Sequence, residues 1–471
     1  MEDIIAQQMV KMQGAILEKI WEEGLENIGE TAEGLFWIVK EHTCELLQAI
    51  LEAVDRAIVE AKAERKADGL KIKERNVKRS LQTSLGEIEY RRTYYETAEG
   101  EYVYLLDHLI GVEPYERVSK ALCAKLVNLA AEMSYGKSVK HGEADVSRQT
   151  VSNKVNALRE VVQDVERVRE TPEELHLFAD EDHVHLKDGR SAIVPLVTIS
   201  EGIDTSNPKR HRLINPLHIA GYGMNAEAFN DQVEACVYER YDLDKVNQIY
   251  IHGDGANRIV NLGERFPNAN HVLDGFHLEK YLKKLVRCNG AAQRMGAIRT
   301  ALRDGNWKTY KKLLEDIYVL QTGKDRERCK QVILYLWNNR QAACLRYSPN
   351  ICGSCTESLV SHVLSERLSR TPLAWSERGL EKMTMLVVFC KNGRKVTAKD
   401  IRVSLTREEQ DRETLLHRDG WNKYNSYMNR QIDSILSTDW ATAFDKEQVS
   451  FGKVDASFVI RKAFASLRPA V

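Results

Sequence analysis

A chain of 471 residues, 43% of them hydrophobic, is long enough for about two to four domains with at least one large core, which excludes a small disulfide-stapled or disordered protein. Its 68 Lys and Arg nearly cancel 69 Asp and Glu, so bulk charge decides nothing about a polyanionic partner and local clusters must. The cysteines are scattered, the N-terminus lacks a signal peptide's basic start and apolar core, and no apolar run reaches the roughly 18 residues of a membrane span; a reducing cytosol and no membrane are expected.

Residues 1–80 read as a helical arm. Apolar positions recur at helical spacing in Ile16 and Ile20, in Leu35, Ile38 and Val39, and in Leu46, Leu47, Ile50, Leu51 and Val54, the pattern of a hairpin used for packing or dimerisation. From Lys62 to Arg79 the arm turns basic, and Lys78 and Arg79 are candidates for phosphate neutralisation. Residues 81–112 read as a β-hairpin, Gly86 to Tyr95 and Glu101 to Leu106, with Arg91 and Arg92 interleaved among tyrosines. Such a ribbon suits nucleic acid or a neighbouring helix. Residues 113–172 hold a helix near Val118 to Glu132 and a second in SRQTVSNKV with Ser147 as N-cap. Val151 and Val155 tie the second helix to its partner, leaving Arg148, Gln149, Ser152 and Asn153 for bases or phosphates, as in a helix-turn-helix. An acidic helical connector, Glu160 to Glu174, is expected to follow.

The stretch Leu175 to Leu186, LHLFADEDHVHL, is an apolar strand ending in carboxylates. Alternation puts Asp180 and Asp182 on one face and Glu181, His183 and His185 on the other. An unpaired buried charge costs roughly several kcal/mol, so an acid here needs a partner, and a metal ion is one. Either Asp fits that role. Ser191 to Ser200 and Arg212 to Tyr222 read as further strands, Ala226 to Arg240 as a helix, and Gln248 to His252 as a strand running into Asp254 between two glycines. A helix from Asn257 to Phe266, a strand from Asn270 to Leu273 and a helix opened by Asp274 complete the first part of the core, residues 173–278. The order β-β-β-α-β-α-β-α predicts an α/β fold with one mixed five-stranded sheet, antiparallel first and crossover-connected after. If the first and fourth strands are neighbours, their terminal acids converge.

Residues 279–350 are helical throughout and interrupt that core, which resumes over 351–392. In TESLVSHVLSERL, 100° per residue puts Glu357 on the stripe of Val360, Leu364 and Leu368, facing the sheet, and Glu366 outward. Cys352 and Cys355 form a single CxxC, too little for a closed zinc site, and read as ordinary thiols. A helix follows from Gly379 to Cys390, and residues 393–471 read as a charged helical tail. Two Asp and a Glu delivered by strand, strand and helix can hold two divalent cations about 4 Å apart. Hard oxygen donors suit Mg²⁺ or Mn²⁺, the equipment for in-line displacement at phosphorus.

In ADEDHVHL, IHGDGAN, HVLDGFHLEKYL and TESLVSHVLSERLS followed by PLAW, with GEIEYRRTYY, SRQTVSN and WSERGLEKM in support, the chain resembles the ISLre-type insertion-sequence transposases, relatives of the Mutator-like DDE group. The resemblance implies an RNase H-like core with an all-helical insertion, preceded by a mainly helical DNA-binding region with a β-hairpin. It implies Asp180, Asp254 and Glu357 as an acidic triad holding two Mg²⁺ or Mn²⁺ ions, and Asp274 and His277 as an auxiliary Asp-x-x-His signature. The expected partners are terminal inverted repeats and target DNA, the working form a homodimer or higher multimer, and the location cytoplasmic at the nucleoid. Two rival functions fit parts of the sequence: a metal-dependent small-molecule hydrolase using His183 and His185, and a domesticated DNA-binding protein that no longer reacts.

Overall fold

The computed structural model describes residues 2–23, 27–158, 165–207, 211–349, 351, 353, 355–370 and 374–401, so nearly all of the expected tail lies outside the described residues. The chain forms two units, one of residues 1–130, 135–157 and 396–471, the other of 131–134 and 158–395.

The first unit opens with helices α1 (Glu2–Glu23), α2 (Ile28–Glu60) and α3 (Lys62–Ala67), as the apolar spacing predicts. The next element corrects the sequence reading. Residues expected to end the helical arm form strand β1 (Lys71–Thr83), which pairs antiparallel with β2 (Gly86–Glu96), while β3 (Tyr102–Val103) is a short third strand. The strand order β1-β2-β3 leaves β1 at an edge, where lysine and arginine are favoured because they blunt further pairing. That is why β1 lacks the apolar alternation of a strand. Helix α2 lies on this sheet, its Val54 and Ile58 packed among Leu81, Ile88, Tyr90 and Tyr95. The buried Asp55 carboxylate accepts hydrogen bonds from Thr93 N (2.9 Å) and Thr93 Oγ1 (2.7 Å). Helices α4 (Leu105–Leu109), α5 (Lys120–Glu132), α6 (Tyr135–Gly142) and α7 (Arg148–Asn156) follow.

In the second unit the described part of the connector, residues 165–173, is irregular rather than helical. Strands β4 (Glu174–His185) and β5 (Ser191–Ser200) form an antiparallel pair, and a small hairpin of β6 (Ile203–Asp204) and β7 (Arg212–Leu213) leads to β8 (Leu217–Ala220). The expected third strand is therefore split. Its first residues pair with β6, and only Leu217–Ala220 joins the main sheet. Helix α8 (Ala226–Arg240), strand β9 (Gln248–Gly253), helix α9 (Asn257–Gly263) and strand β10 (Ala269–Leu273) complete a five-stranded mixed sheet of order β10-β9-β4-β5-β8. β9 runs parallel to β4 and to β10, as crossover connections require. One face packs Leu175, Leu177, Val197, Ile199 and Ile251 against Phe229, Val233 and Val237 of α8 and Ile259 and Leu262 of α9.

The interrupting segment is all helical: α10 (Gly275–Val286), α11 (Met295–Arg303), α12 (Trp307–Val319), α13 (Gly323–Asn338) and α14 (Arg340–Leu345) around a core of Leu282, Ile298, Leu302, Tyr310, Leu314 and Leu336. The chain returns to the sheet through α15 (Thr356–Val360), a π-helical turn (Ser361–Ser365), α16 (Glu366–Leu368) and α17 (Glu377–Lys391). Among the described residues no helix is long and apolar enough to cross a membrane.

Candidate active site

Three adjacent parallel strands each deliver an acid at the same end of the sheet. Phe178 of β4 stands opposite His252 of β9, so two residues further on Asp180 and Asp254 point to the same face. Asp254 lies just past the end of β9, whereas β4, expected to end in its carboxylates, runs on to His185 paired with β5, and Asp180 sits within it where β9 stops. Asp274 follows β10 directly. Asp254 is not a helix cap: α9 is capped by Ala256, and Asp254 Oδ1 instead accepts from Ala256 N (2.9 Å) across a turn in which Gly255 has φ 81°. Asp274 is the N-cap of α10, accepting from Phe276 N (3.4 Å), and is only 3% exposed. His277 Nδ1 lies 3.4 Å from Asp274 Oδ2.

The electrostatics join these groups. Burial pushes the Asp180 carboxyl from its ordinary 3.8 up to about 6, and the charges of Glu357 and Asp254 push the same way against a backbone N–H bond from Glu181 and the charge of His277. His277 is raised above its ordinary 6.5, first by its bond to Asp274, with Asp180 and Asp254 adding to the effect and burial opposing it. Asp180, Asp254, Glu357 and His277, from four separate elements, thus share one field. Asp182 has different company. It is 7% exposed, and its carboxylate accepts from Ser365 Oγ (3.1 Å) and from Ser369 Oγ (3.0 Å to each oxygen), which ties β4 to the α15–α16 segment. Of the two strand acids, Asp180 is the one in the common field.

Glu357 requires a correction. It is exposed rather than buried against the sheet, while Thr356, Val360, Val363, Leu364 and Leu368 are buried. The π turn is the cause. One extra residue per turn sets back the residues beyond it by on the order of 100°, so the buried stripe centres on Thr356, Val360 and Val363 and Glu357 stands at its border, in the first turn of α15. Glu366 faces outward as expected, paired with His362 (3.0 Å) and Arg370 (3.2 Å). His183 and His185 are exposed, on the face opposite Asp180, and Glu181 there is paired with Arg258 (2.7 Å). The structure does not bring these histidines to the acids.

The helical insertion supplies contacts that the sequence did not announce. Tyr335 Oη donates to the backbone oxygen of Asp254 (2.6 Å), with its ring stacked on Tyr281 (3.5 Å between centroids). A Cβ at Gly255 would collide with Asn339 Oδ1, and one at Gly275 with the Arg346 guanidinium. Glycines beside two acids were the available signal; their partners lie some 70 to 85 residues away and no local pattern marks them. The Cys355 thiol, free, is pushed up to about 12 by burial and then by the charge of Asp274. Cys352 lies outside the described residues. No three of the described His, Cys, Asp and Glu side chains stand at a common metal-ligand spacing.

The expected DNA contacts divide. On α7, Ser147 Oγ accepts from Thr150 N (3.1 Å), Val151 and Val155 are buried, Arg148, Gln149 and Asn153 are exposed and Ser152 is half-buried. Lys78 and Arg91 are exposed, Lys78 with Glu89 2.9 Å away. Arg79 is half-buried and donates to the backbone oxygens of Glu113 (3.0 Å) and Glu116 (2.5 Å). Arg92 contradicts its assignment. It is buried in an ion pair with Asp107, its guanidinium 3.4 Å from the centroid of Tyr104, so it serves the β2–α4 core and not a ligand.

Residues 21–403 match the family described as Uncharacterised protein family (UPF0236). The chain is 37% identical over 83% of its length, and 84% of the relative's, to a UPF0236 protein of Caldanaerobacter subterraneus subsp. tengcongensis whose name joins eleven locus designations. A second relative from that organism, joining four designations, is 35% identical over 83% of this chain and 84% of that protein. A UPF0236 protein in the vanSb 3′ region of Streptococcus gallolyticus is 24% identical over 78% of this chain and 84% of that protein.

Proposed function

The chain belongs to the UPF0236 family, and from that premise we propose that it is a DNA transposase of the DDE kind, cutting and joining strands at the ends of its own element. The observation that carries this reading is the common field of Asp180, Asp254, Glu357 and His277 at one end of the sheet. The topology supports it: numbered along the chain, the main strands lie 5-4-1-2-3 with only the second antiparallel to the rest, the order of an RNase H-like domain. So does the insertion placed between the second Asp and the Glu.

Hard carboxylate oxygens, with the charges of Glu357 and Asp254 felt at a buried Asp180, fit Mg²⁺ or Mn²⁺, which Asp180, Asp254 and Glu357 would hold. Such ions activate a water or a 3′-hydroxyl and stabilise the leaving oxygen. His277, held 3.4 Å from Asp274, stands beside the acids where a phosphate would lie, and Asp274, Asp180 and Asp254 all favour its protonated form. Arg148, Gln149 and Asn153 on the exposed side of α7, with Ser152 at its margin, would read the DNA ends. A relative whose name joins eleven locus designations in one organism is what a self-copying element would leave behind.

The test uses the full chain, Mg²⁺ and duplexes from the DNA flanking its reading frame. Cleavage at matched inverted repeats is expected, reduced by on the order of 10²-fold or more in Asp254→Asn and Glu357→Gln. Undiminished cleavage in those variants would overturn the reading.

A further inference from the structure

Helix α10 starts one residue after Asp274, so its first turn stands beside the acids and the rest leads away from them. Gly275, Leu278, Leu282 and Leu285 bury one side. On the other side, at 100° per residue, Phe276, Lys280, Lys283 and Arg287 fall within about 60° of one another, and all four are exposed. Lysines on an outer helix face are ordinary. Phe276 is not: it is 55% exposed, and a large apolar ring left in water forgoes the burial that favours such side chains in the interior. Its ring meets the His277 imidazole edge-on (5.4 Å between centroids), with Lys280 Nζ 5.8 Å from the ring centre. The acid on this helix, Glu279, is held by Arg299 in two hydrogen bonds (2.5 and 2.8 Å), which leaves the stripe cationic.

We propose that this stripe is a track for a single DNA strand, with Phe276 as the platform on which the base beside the reacting phosphate stacks. The inference rests on the transposase reading and names how that site holds its substrate. Cations alone would serve a duplex backbone; an aromatic ring in water at the site end of the track is matched by an unpaired base, whose flat face it can cover whatever the sequence. From Phe276 to Arg287 the track is about 16 Å long, enough to follow a few nucleotides of a strand's backbone.

The experiment uses the full chain in EDTA with a mixed-sequence single-stranded oligonucleotide carrying 2-aminopurine, read by fluorescence quenching and by anisotropy across a salt series. Phe276→Ala is expected to lose the quenching and bind about tenfold more weakly, while Phe276→Trp keeps both. Replacing Lys280, Lys283 and Arg287 together by Gln should reduce the slope of log affinity against log salt by about 2. Quenching by Phe276→Ala equal to that of the parent, or an unchanged salt slope in the triple variant, would overturn the track. Binding read without metal fails independently of the chemistry, which Asp180→Asn tests in Mg²⁺ on the same preparation.

Discussion

Asp180 and Asp182 lie two residues apart on one face of one strand, and their surroundings differ. Because burial and the neighbouring acids raise Asp180 to about 6 from an ordinary 3.8, the folded protein favours its neutral form. Its favourable contribution is complete below about pH 4 and is lost as pH rises through 6. Asp180→Asn should therefore stabilise the metal-free protein by on the order of 1–3 kcal/mol at pH 7 and by nothing near pH 3.5, which melting curves in EDTA across that range will read. An Asn variant no more stable than the parent at pH 7 would contradict the common field. Asp182 is bonded instead to the Ser365 and Ser369 hydroxyls. Asp182→Asn should cost about 2 kcal/mol in denaturant unfolding. Arg91 and Arg92 repeat the contrast. Breaking the buried pair with Asp107 in Arg92→Ala should cost about 3–5 kcal/mol, whereas the exposed Arg91→Ala should stay within about 0.5 kcal/mol.

At the scale of elements, Asp180 is placed within β4, Asp254 and Asp274 just past the ends of β9 and β10, and the loop of Asp254 is then held by a helix of the insertion. Gly255 combines a φ of 81° with Asn339 pressed against its open side, and its neighbour Asp254 is bonded through its backbone oxygen to Tyr335. Gly255→Ala should cost about 1–3 kcal/mol in backbone strain and, by displacing Asp254 about 1 Å, on the order of 10²-fold in cleavage rate. Equal rates in the two proteins would show that the insertion does not position that acid. The element borders show what the sequence could carry. Strand β4, apolar on both faces until its acids, was legible because it is covered on both sides, and α10 because Asp274 caps an amphipathic pattern. Strand β1 was not, since this edge strand is mostly exposed lysine, arginine and polar residues and buries little beyond Leu81 and part of Ile72. The exposure of Glu357 was missed for a different reason: a π turn leaves no mark in residue spacing, and a constant 100° step then misplaces one face of the helix.

For the whole molecule, the succession of strands and helices was enough to anticipate a mixed sheet but left open whether the strands bearing Asp180 and Asp254 are neighbours, which they are. Alternation and strand ends are local properties, and once the order is known the sheet follows. The contacts of Tyr335, Asn339 and Arg346 with the acid loops depend on how a helical bundle folds back over the sheet, which no short window of sequence encodes. The account as a whole stands on three acids from three elements acting together while a fourth, nearest to them in sequence, does not. The most direct measurement is Mg²⁺-dependent cleavage of an element-end duplex by the full chain, compared across Asp180→Asn, Asp182→Asn, Asp254→Asn and Glu357→Gln in one series at a temperature where all four are folded. Loss of on the order of 10²-fold or more is expected in all but Asp182→Asn, which should keep its rate within about tenfold. A series in which Asp182→Asn falls and Asp180→Asn does not would contradict the account at its centre.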